Sequence, residues 1–302
     1  MTDSKKYRPL PALPTGKATK KITRGCAVVE GGAFRGVYSQ GVLDALMEND
    51  INMEATIGVS AGAMSGMCYV AGNIGRAIRV NTSYRKDPRY VGVLPLFTDS
   101  GVIGFDFVFN ETPKVLDFDY DRFFSPERRF AALVTNCETG KPEAMERGKC
   151  SNIFQGIRAS ASMPYVSKPV MIDGVPYLDG GCCRSNPWDW AVDEGYEKIL
   201  LIRNRPIGFR REEKIDHKAL MYEKEFPVLA DIMKTDAANF NRECEAGEKA
   251  AEEGKVFLLC PGTTETVSRL EPDVERMELF YWLGYYETIE KMDDIKTYLG
   301  FQ

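Results

Sequence analysis

The stretch Thr56-Ile57-Gly58-Val59-Ser60-Ala61-Gly62-Ala63-Met64-Ser65-Gly66 constrains this chain more than any other. It reads as the end of a strand, a sharp turn and the start of a helix. Glycine two positions before and two after a serine lets the backbone double back where any Cβ would clash. The turn holds the Ser60 hydroxyl out above a sheet edge. The N–H groups and positive dipole end of the following helix favour negative charge beside it. These are a nucleophile's surroundings. Alone, G-x-S-x-G is a weak pattern, because many matches are ordinary tight turns. The rest of the chain has to decide.

A second turn of the same kind lies upstream. Cys26-Ala27-Val28-Val29 is a short apolar run between Gly25 and Glu30, the mark of a buried central strand. Gly31-Gly32-Ala33-Phe34-Arg35-Gly36 follows it, and Val37, Gly41, Val42, Leu43, Leu46 and Met47 then recur at helical spacing. Such a loop gathers unpaired N–H groups in one place. A dinucleotide or phosphate cradle fails on the sequence, because Ala33 stands at the middle glycine of G-x-G-x-x-G and there is no Walker lysine. If the strands ending near Val29 and Ile57 lie side by side and parallel, both turns open at one sheet edge. The loop's N–H groups then face Ser60 as an oxyanion hole, where each lost donor typically costs about 3–4 kcal/mol of barrier.

Composition narrows the field. With 302 residues, 44% of them hydrophobic, the chain can bury a large core. The net charge is −5 and the basic residues form no stripe with interleaved aromatics, which disfavours nucleic acid and leaves at most transient contact with a membrane surface. No apolar run approaches the ~18 residues of a spanning helix and no signal segment is evident, so the chain reads as cytoplasmic. Eight cysteines show no C-x-x-C pair, so neither a zinc site nor a disulfide framework fits, and no cofactor is implied. There is one histidine, His217.

In order, residues 1–24 read as a flexible arm and 25–302 as a single α/β domain. The helix after Ser60 is expected to run on and fray from Tyr69 to Arg79. Residues 91–110, apolar without clean periodicity, fit a mobile flap over the site or a packed core loop. Strands are expected over Arg129–Asn136 and Ile199–Ile202 and from Val256 to Leu259. Pro142 to Met145 pairs with the first of these, and a hairpin turns at Asp173-Gly174. Helices are expected from Ile153 to Ser162, from Pro187 to Glu194, as a charged stretch from about Glu212 to Glu253, and from Asp273 to Leu299. The hairpin delivers Asp179-Gly180-Gly181, often a mere turn, but here closing an apolar strand where a carboxylate can be held partly dry.

The series Gly31-Gly32-Ala33-Phe34-Arg35-Gly36, Gly58-Val59-Ser60-Ala61-Gly62, Ala161-Ser162-Met163-Pro164 and Asp179-Gly180-Gly181 resembles the bacterial patatin-like phospholipase family. Asn186-Pro187 and Gly284-Tyr285 extend the likeness, which covers about residues 24–300. The resemblance implies a three-layer α/β/α fold with a mainly parallel sheet and hydrolysis of acyl esters or phospholipids. It also implies a Ser–Asp dyad with Ser60 as nucleophile, Asp179 as base and Gly31 to Gly36 as oxyanion loop. Ala33 departs from the family's pattern, standing where a third glycine is usual. Arg35 either steers a phosphate or braces the loop, and bracing is the expectation.

Two other readings remain. Ser60, Asp179 and His217 fall in the chain order of an α/β-hydrolase triad, although His217 sits in a solvated charged stretch and only two strands precede Ser60. A non-catalytic lipid-binding or regulatory protein on the same fold is the other, against which the intact Ser60 and Asp179 argue.

Overall fold

The computed structural model describes residues 11–301. In chain order the strands are β1 (Gly16–Lys17), β2 (Thr23–Val29), β3 (Met53–Val59), β4 (Asn73–Ile74), β5 (Arg129–Asn136), β6 (Pro142–Glu146), β7 (Val170–Ile172), β8 (Val175–Asp179), β9 (Ile199–Ile202) and β10 (Phe257–Leu259). β1 and β4 form a small antiparallel pair, and the other eight form one sheet in the order β10-β9-β2-β3-β5-β8-β7, with β6 also on β5. Strands β10, β9, β2, β3 and β5 run parallel, and β6, β7 and β8 make the antiparallel end.

The central strands are apolar on both faces because helices cover both. Cys26, Ala27, Val28 and Val29 are all fully buried. Ala27 and Val29 face the core shared with α1 (Val37–Glu48) and the helix Val274–Glu290. Cys26 and Val28 face the opposite core, shared with Ala191 and Ala250 of the helices Trp188–Asp193 and Asp236–Glu252. This is the expected three-layer α/β/α arrangement with a mainly parallel sheet.

The helix Val274–Glu290 lies against α1 at two glycines. A Cβ at Gly41 would overlap the Tyr281 carbonyl oxygen, and one at Gly284 would overlap the Tyr38 carbonyl oxygen. At that approach three tyrosines reach across to carboxylates: Tyr38 to Glu287 (2.7 Å), Tyr281 to Asp44 (2.8 Å) and Tyr285 to Glu48 (2.5 Å).

Several expectations need correction. The arm expected over residues 1–24 ends earlier: residues 1–10 lie outside the described residues, but β1 pairs with β4, and Arg122 and Asn52 donate to carbonyls between Ala18 and Lys21. Those polar residues are held by backbone pairing, which periodicity does not reveal. The helix after Ser60, α2 (Ala61–Val70), stops before Gly72 and Gly75, both at positive φ, and a new helix spans Arg76–Tyr84. The charged stretch from Glu212 to Glu253 is a 3-10 turn (His217–Tyr222) and two helices, Pro227–Lys234 and Asp236–Glu252. Pro227, lacking an N–H, restarts the helix there. The last helix breaks at Lys291. Residues 91–110 divide: Phe105, Phe107 and Val108 are buried, whereas Val93 and Phe97 are exposed. Among the described residues no helix is long and apolar enough to cross a membrane.

A mid-helix Gly→Ala change ordinarily gains about 1 kcal/mol. Gly41→Ala and Gly284→Ala are expected to do the reverse, each losing about 2 kcal/mol by forcing the helices apart. Urea unfolding midpoints check this, and a stabilised variant would contradict the close approach.

Candidate active site

β2 and β3 pair in register, Val28 with Ile57 and Val29 with Gly58, so the turns that follow them open at the same sheet edge. At Gly58 and Gly62 a Cβ would overlap backbone atoms, at Gly58 those of the Gly62-Ala63 turn and at Gly62 the Val29 carbonyl. The turn between them puts Ser60 at φ 56°, ψ −122°. A non-glycine residue held there stores roughly 1–3 kcal/mol of strain, which the surroundings must hold in place. The Ser60 N–H donates to Ser160 Oγ at 2.8 Å, and Ser60 Oγ donates to Asp179 Oδ2 at 2.7 Å. Both Ser60 and Asp179 are buried.

Asp179 reaches the serine because β8 runs antiparallel to β5, with Val134 opposite Asp179, and so ends beside the turn after β3. Its N–H donates to the Ser162 carbonyl at 3.0 Å, Thr135 Oγ1 donates to its carbonyl at 2.8 Å, and the Gly181 N–H donates to its Oδ1 at 2.8 Å. Burial pushes the Asp179 carboxyl up to about 6, while the hydrogen bonds from Ser60 and Gly181 and the charge of Arg269 pull it back down. A carboxylate so raised is a far better proton acceptor near neutrality than an exposed one.

The glycine loop lies against the serine, as a Cβ on Gly31 would come within 2.9 Å of Ser60 Cβ. Asn204 holds the loop from below, donating through Nδ2 to the carbonyls of Glu30 (3.0 Å) and Gly31 (3.1 Å) and accepting from Ser39 Oγ (2.7 Å). Glu30 in turn accepts the Asn204 N–H at 2.5 Å. Ala33 adopts φ 51°, so the alanine takes the left-handed conformation that a glycine would adopt freely. Among the described residues the N–H groups of Gly31, Gly32 and Ala33 have no acceptor, while Phe34 N–H donates to the Arg269 carbonyl at 3.1 Å and Arg35 N–H to Gly32 at 3.2 Å. Phe34 is buried and Gly36 packs against Ala61. Bracing is the expectation for Arg35, but among the described residues its guanidinium bonds none of the loop carbonyls, and it lines a cavity.

Two cavities meet at Ser60, Ala33 and Met163. One is apolar, walled by residues including Met64, Met67, Val80, Ile103, Phe105 and Val108. The other is the more polar of the two and is lined by Asp179, Glu30 and the arginines 35, 205, 211 and 269. The interior half of the segment 91–110 therefore walls the apolar cavity.

His217 sits exposed on a 3-10 turn and lines neither cavity, while the Asp179 carboxylate has Ser60 and Gly181 as partners. Sequence reading missed Ser160, Asn204 and the arginines at 205 and 269. The one available signal for Asn204 was its position just past a parallel strand, where open α/β sheets gather their sites. Gly180 packs against Leu133, fixing the bend after Asp179.

A family model described as patatin-like phospholipase matches residues 27–192. A second, described only as a domain of unknown function, matches residues 226–300. The uncharacterized protein YjjU of Escherichia coli (strain K12) is 27% identical over 184 residues, covering 59% of this chain and 51% of that protein. The chain thus spans about half the length of this curated relative. The crystal structure of VipD from Legionella pneumophila superposes with a TM-score of 0.52 at 14% identity, covering 96% of this chain and 72% of that one, a likeness of fold alone.

The raised Asp179 carboxyl has a consequence for stability. A carboxyl whose folded pKa lies above its unfolded value contributes stability that is fully present below pH ~4 and lost as pH rises through about 6. Asp179→Asn removes that loss, so its stability is expected to gain on the native protein between pH 4.5 and pH 8, by on the order of 2 kcal/mol, seen as a widening gap in melting temperature. Thermal unfolding of both proteins at the two pH values measures it; a gap that does not widen would deny the burial effect.

Proposed function

The chain belongs to the patatin-like phospholipase family, and on that premise we propose that it is a serine acyl-lipid hydrolase working through Ser60 and Asp179. The observation that carries this reading is the 2.7 Å hydrogen bond from Ser60 Oγ to a buried Asp179 carboxylate, at the point where an apolar and a polar cavity meet. An ester with a fatty acyl chain suits that division. The chain enters the apolar cavity, the carbonyl lies over Ser60, and the alcohol portion extends into the polar one.

In the proposed reaction Ser60 Oγ bonds the carbonyl carbon as its proton passes to Asp179. The carbonyl π pair moves onto oxygen, facing the N–H groups of Gly32 and Ala33. The Ser60 N–H is already committed to Ser160 Oγ, so the glycine loop is the better source of donors. Collapse re-forms the carbonyl and breaks the bond to the alcohol oxygen, which takes the proton from Asp179. Water then attacks the acyl-serine, gives its proton to Asp179, and the fatty acid leaves as that proton returns to Ser60 Oγ. Asp179 lines the polar cavity, where the departing alcohol needs an acid. The absence of histidine from this scheme makes the raised carboxyl essential.

A fluorophosphonate probe is expected to label the native protein once, at Ser60, and not to label Ser60→Ala. Asp179→Asn should lower kcat on a p-nitrophenyl ester by about 10²–10⁴-fold, since an amide cannot take the proton. His217→Ala should retain most of the activity. A folded but inactive His217→Ala beside an active Asp179→Asn would overturn the dyad.

A further inference from the structure

The polar cavity brings together four arginines, most of which are not paired with the carboxylates around them. Among the described residues, only Arg211 of its four arginines is ion-paired, its Nη1 lying 2.6 Å from Asp236 Oδ2 with the guanidinium stacked 3.7 Å from the Phe240 ring centre. Arg205 donates to Thr266 Oγ1 at 2.6 Å and lies over Phe209, and among the described residues no carboxylate pairs with it. Among the described residues, the guanidinium groups of Arg35 and Arg269 have neither a hydrogen-bond acceptor nor an ion pair. Four carboxylates also line this cavity and match the arginines in number, but three of them bond neutral donors rather than a guanidinium. Glu30 accepts from Asn204 and Asn186, Asp179 from Ser60 and Gly181, Asp216 from Tyr165 and Lys218, and Asp236 from Arg211.

Three guanidinium groups facing one cavity repel one another, more strongly as burial removes water. Burial and the charges of Arg205 and Arg269 push the Arg35 guanidinium down to about 9, with Glu30 opposing them. Arg205 is pushed down as well, by burial and by Arg211 and Arg269 against Glu30. An anion with several acceptor oxygens would relieve that repulsion and satisfy the free donors together.

The position of the cluster says which part of a substrate would carry the anion. The apolar cavity takes the acyl chain, and Asp179, the acid for the departing alcohol, shares the polar cavity with the arginines. Arg269 is also tied to the oxyanion loop, because its carbonyl accepts the Phe34 N–H. Arg269, Thr266, Asp236 and Phe240 all belong to the segment 226–300, whose family model carries no assigned role.

We propose that this segment completes the active site with a specificity compartment, in which Arg35, Arg205 and Arg269 hold a phosphate group on the alcohol portion of a single-chain acyl ester. The proposal rests on the hydrolase reading above for its orientation, but not for the anion site itself. Arg35 then reads the head group rather than bracing the loop.

The test pairs 1-oleoyl glycerol phosphate with 1-oleoyl glycerol as substrates of the full chain, with Arg205→Gln, Arg269→Gln and the corresponding lysine variants checked for folding by circular dichroism. The native protein is expected to favour the phosphorylated ester through KM. Each glutamine variant should shrink that preference by about 10-fold or more, and the lysine variants should recover part of it. A native protein that turns over both esters with no such preference, or a preference unchanged in both glutamine variants, would overturn the proposal. Binding to Ser60→Ala, read by calorimetry, separates the two readings. Binding of 1-oleoyl glycerol phosphate to Ser60→Ala that Arg269→Gln weakens, beside a native protein that turns over neither ester, keeps the anion compartment and ends the hydrolase reading. Turnover of 1-oleoyl glycerol with no binding of the phosphorylated lipid does the reverse. Inorganic phosphate titrated alone distinguishes the source: a response lost in Arg205→Gln shows that the free anion suffices, and lipid binding without a phosphate response shows that the head group is held only as part of the lipid.

Discussion

The site depends on one backbone constraint, the positive φ of Ser60. An L-residue resists that conformation, and it persists because the elbow is pinned on every side. Gly58 and Gly62 let the turn close against its own backbone and the Val29 carbonyl, and Ser160 Oγ accepts the Ser60 N–H. The strand β3 carrying the elbow is buried between β2 and β5, so it cannot yield. Strain stored at one residue is thus spread into the packing of three strands. The result is a hydroxyl aimed across the sheet edge at Asp179 rather than along the strand.

The second element of the site, the carboxylate, comes from the antiparallel end of the sheet. A sheet that remained parallel would have needed another crossover to bring a strand end to this edge. The hairpin β7–β8 achieves it in ten residues, and Gly180 lets the chain turn close against the Leu133 carbonyl just after Asp179. Burial there has two opposed effects. It raises the basicity of Asp179, which the proposed chemistry requires, and it penalises the folded state once the carboxyl ionises. Reactivity and stability pull in opposite directions at this residue.

The C-terminal residues 226–300 belong physically to the same sheet and helix layers as the rest. β10 extends the sheet beside β9, and the helix Val274–Glu290 meets α1 at reciprocal glycines, backed by three tyrosine–carboxylate hydrogen bonds. Because α1 begins where the glycine loop ends, the packing of this segment sets the position of that loop. The hydrogen bond from Phe34 N–H to the Arg269 carbonyl ties the two directly.

The sequence by itself determined the order and kind of the central elements, because buried parallel strands are continuous apolar runs and the turns between them need glycine. It singled out Ser60 and Asp179 for the same local reasons, the elbow's spacing and an acid closing an apolar strand. Tertiary structure alone decided what surrounds them. The arginines at 205 and 269 lie far from Ser60 in the chain, in polar stretches that look like any solvated loop, and no local pattern distinguishes them. Arg35 was visible in the loop, but whether it braced backbone or faced a cavity depended on groups contributed from across the fold. Residues 16–24 likewise look like an arm until Asn52, Arg122 and β4 come to meet their backbone. Local spacing encodes the bend of a chain, whereas the partners of a charge are chosen by whatever the fold brings beside it.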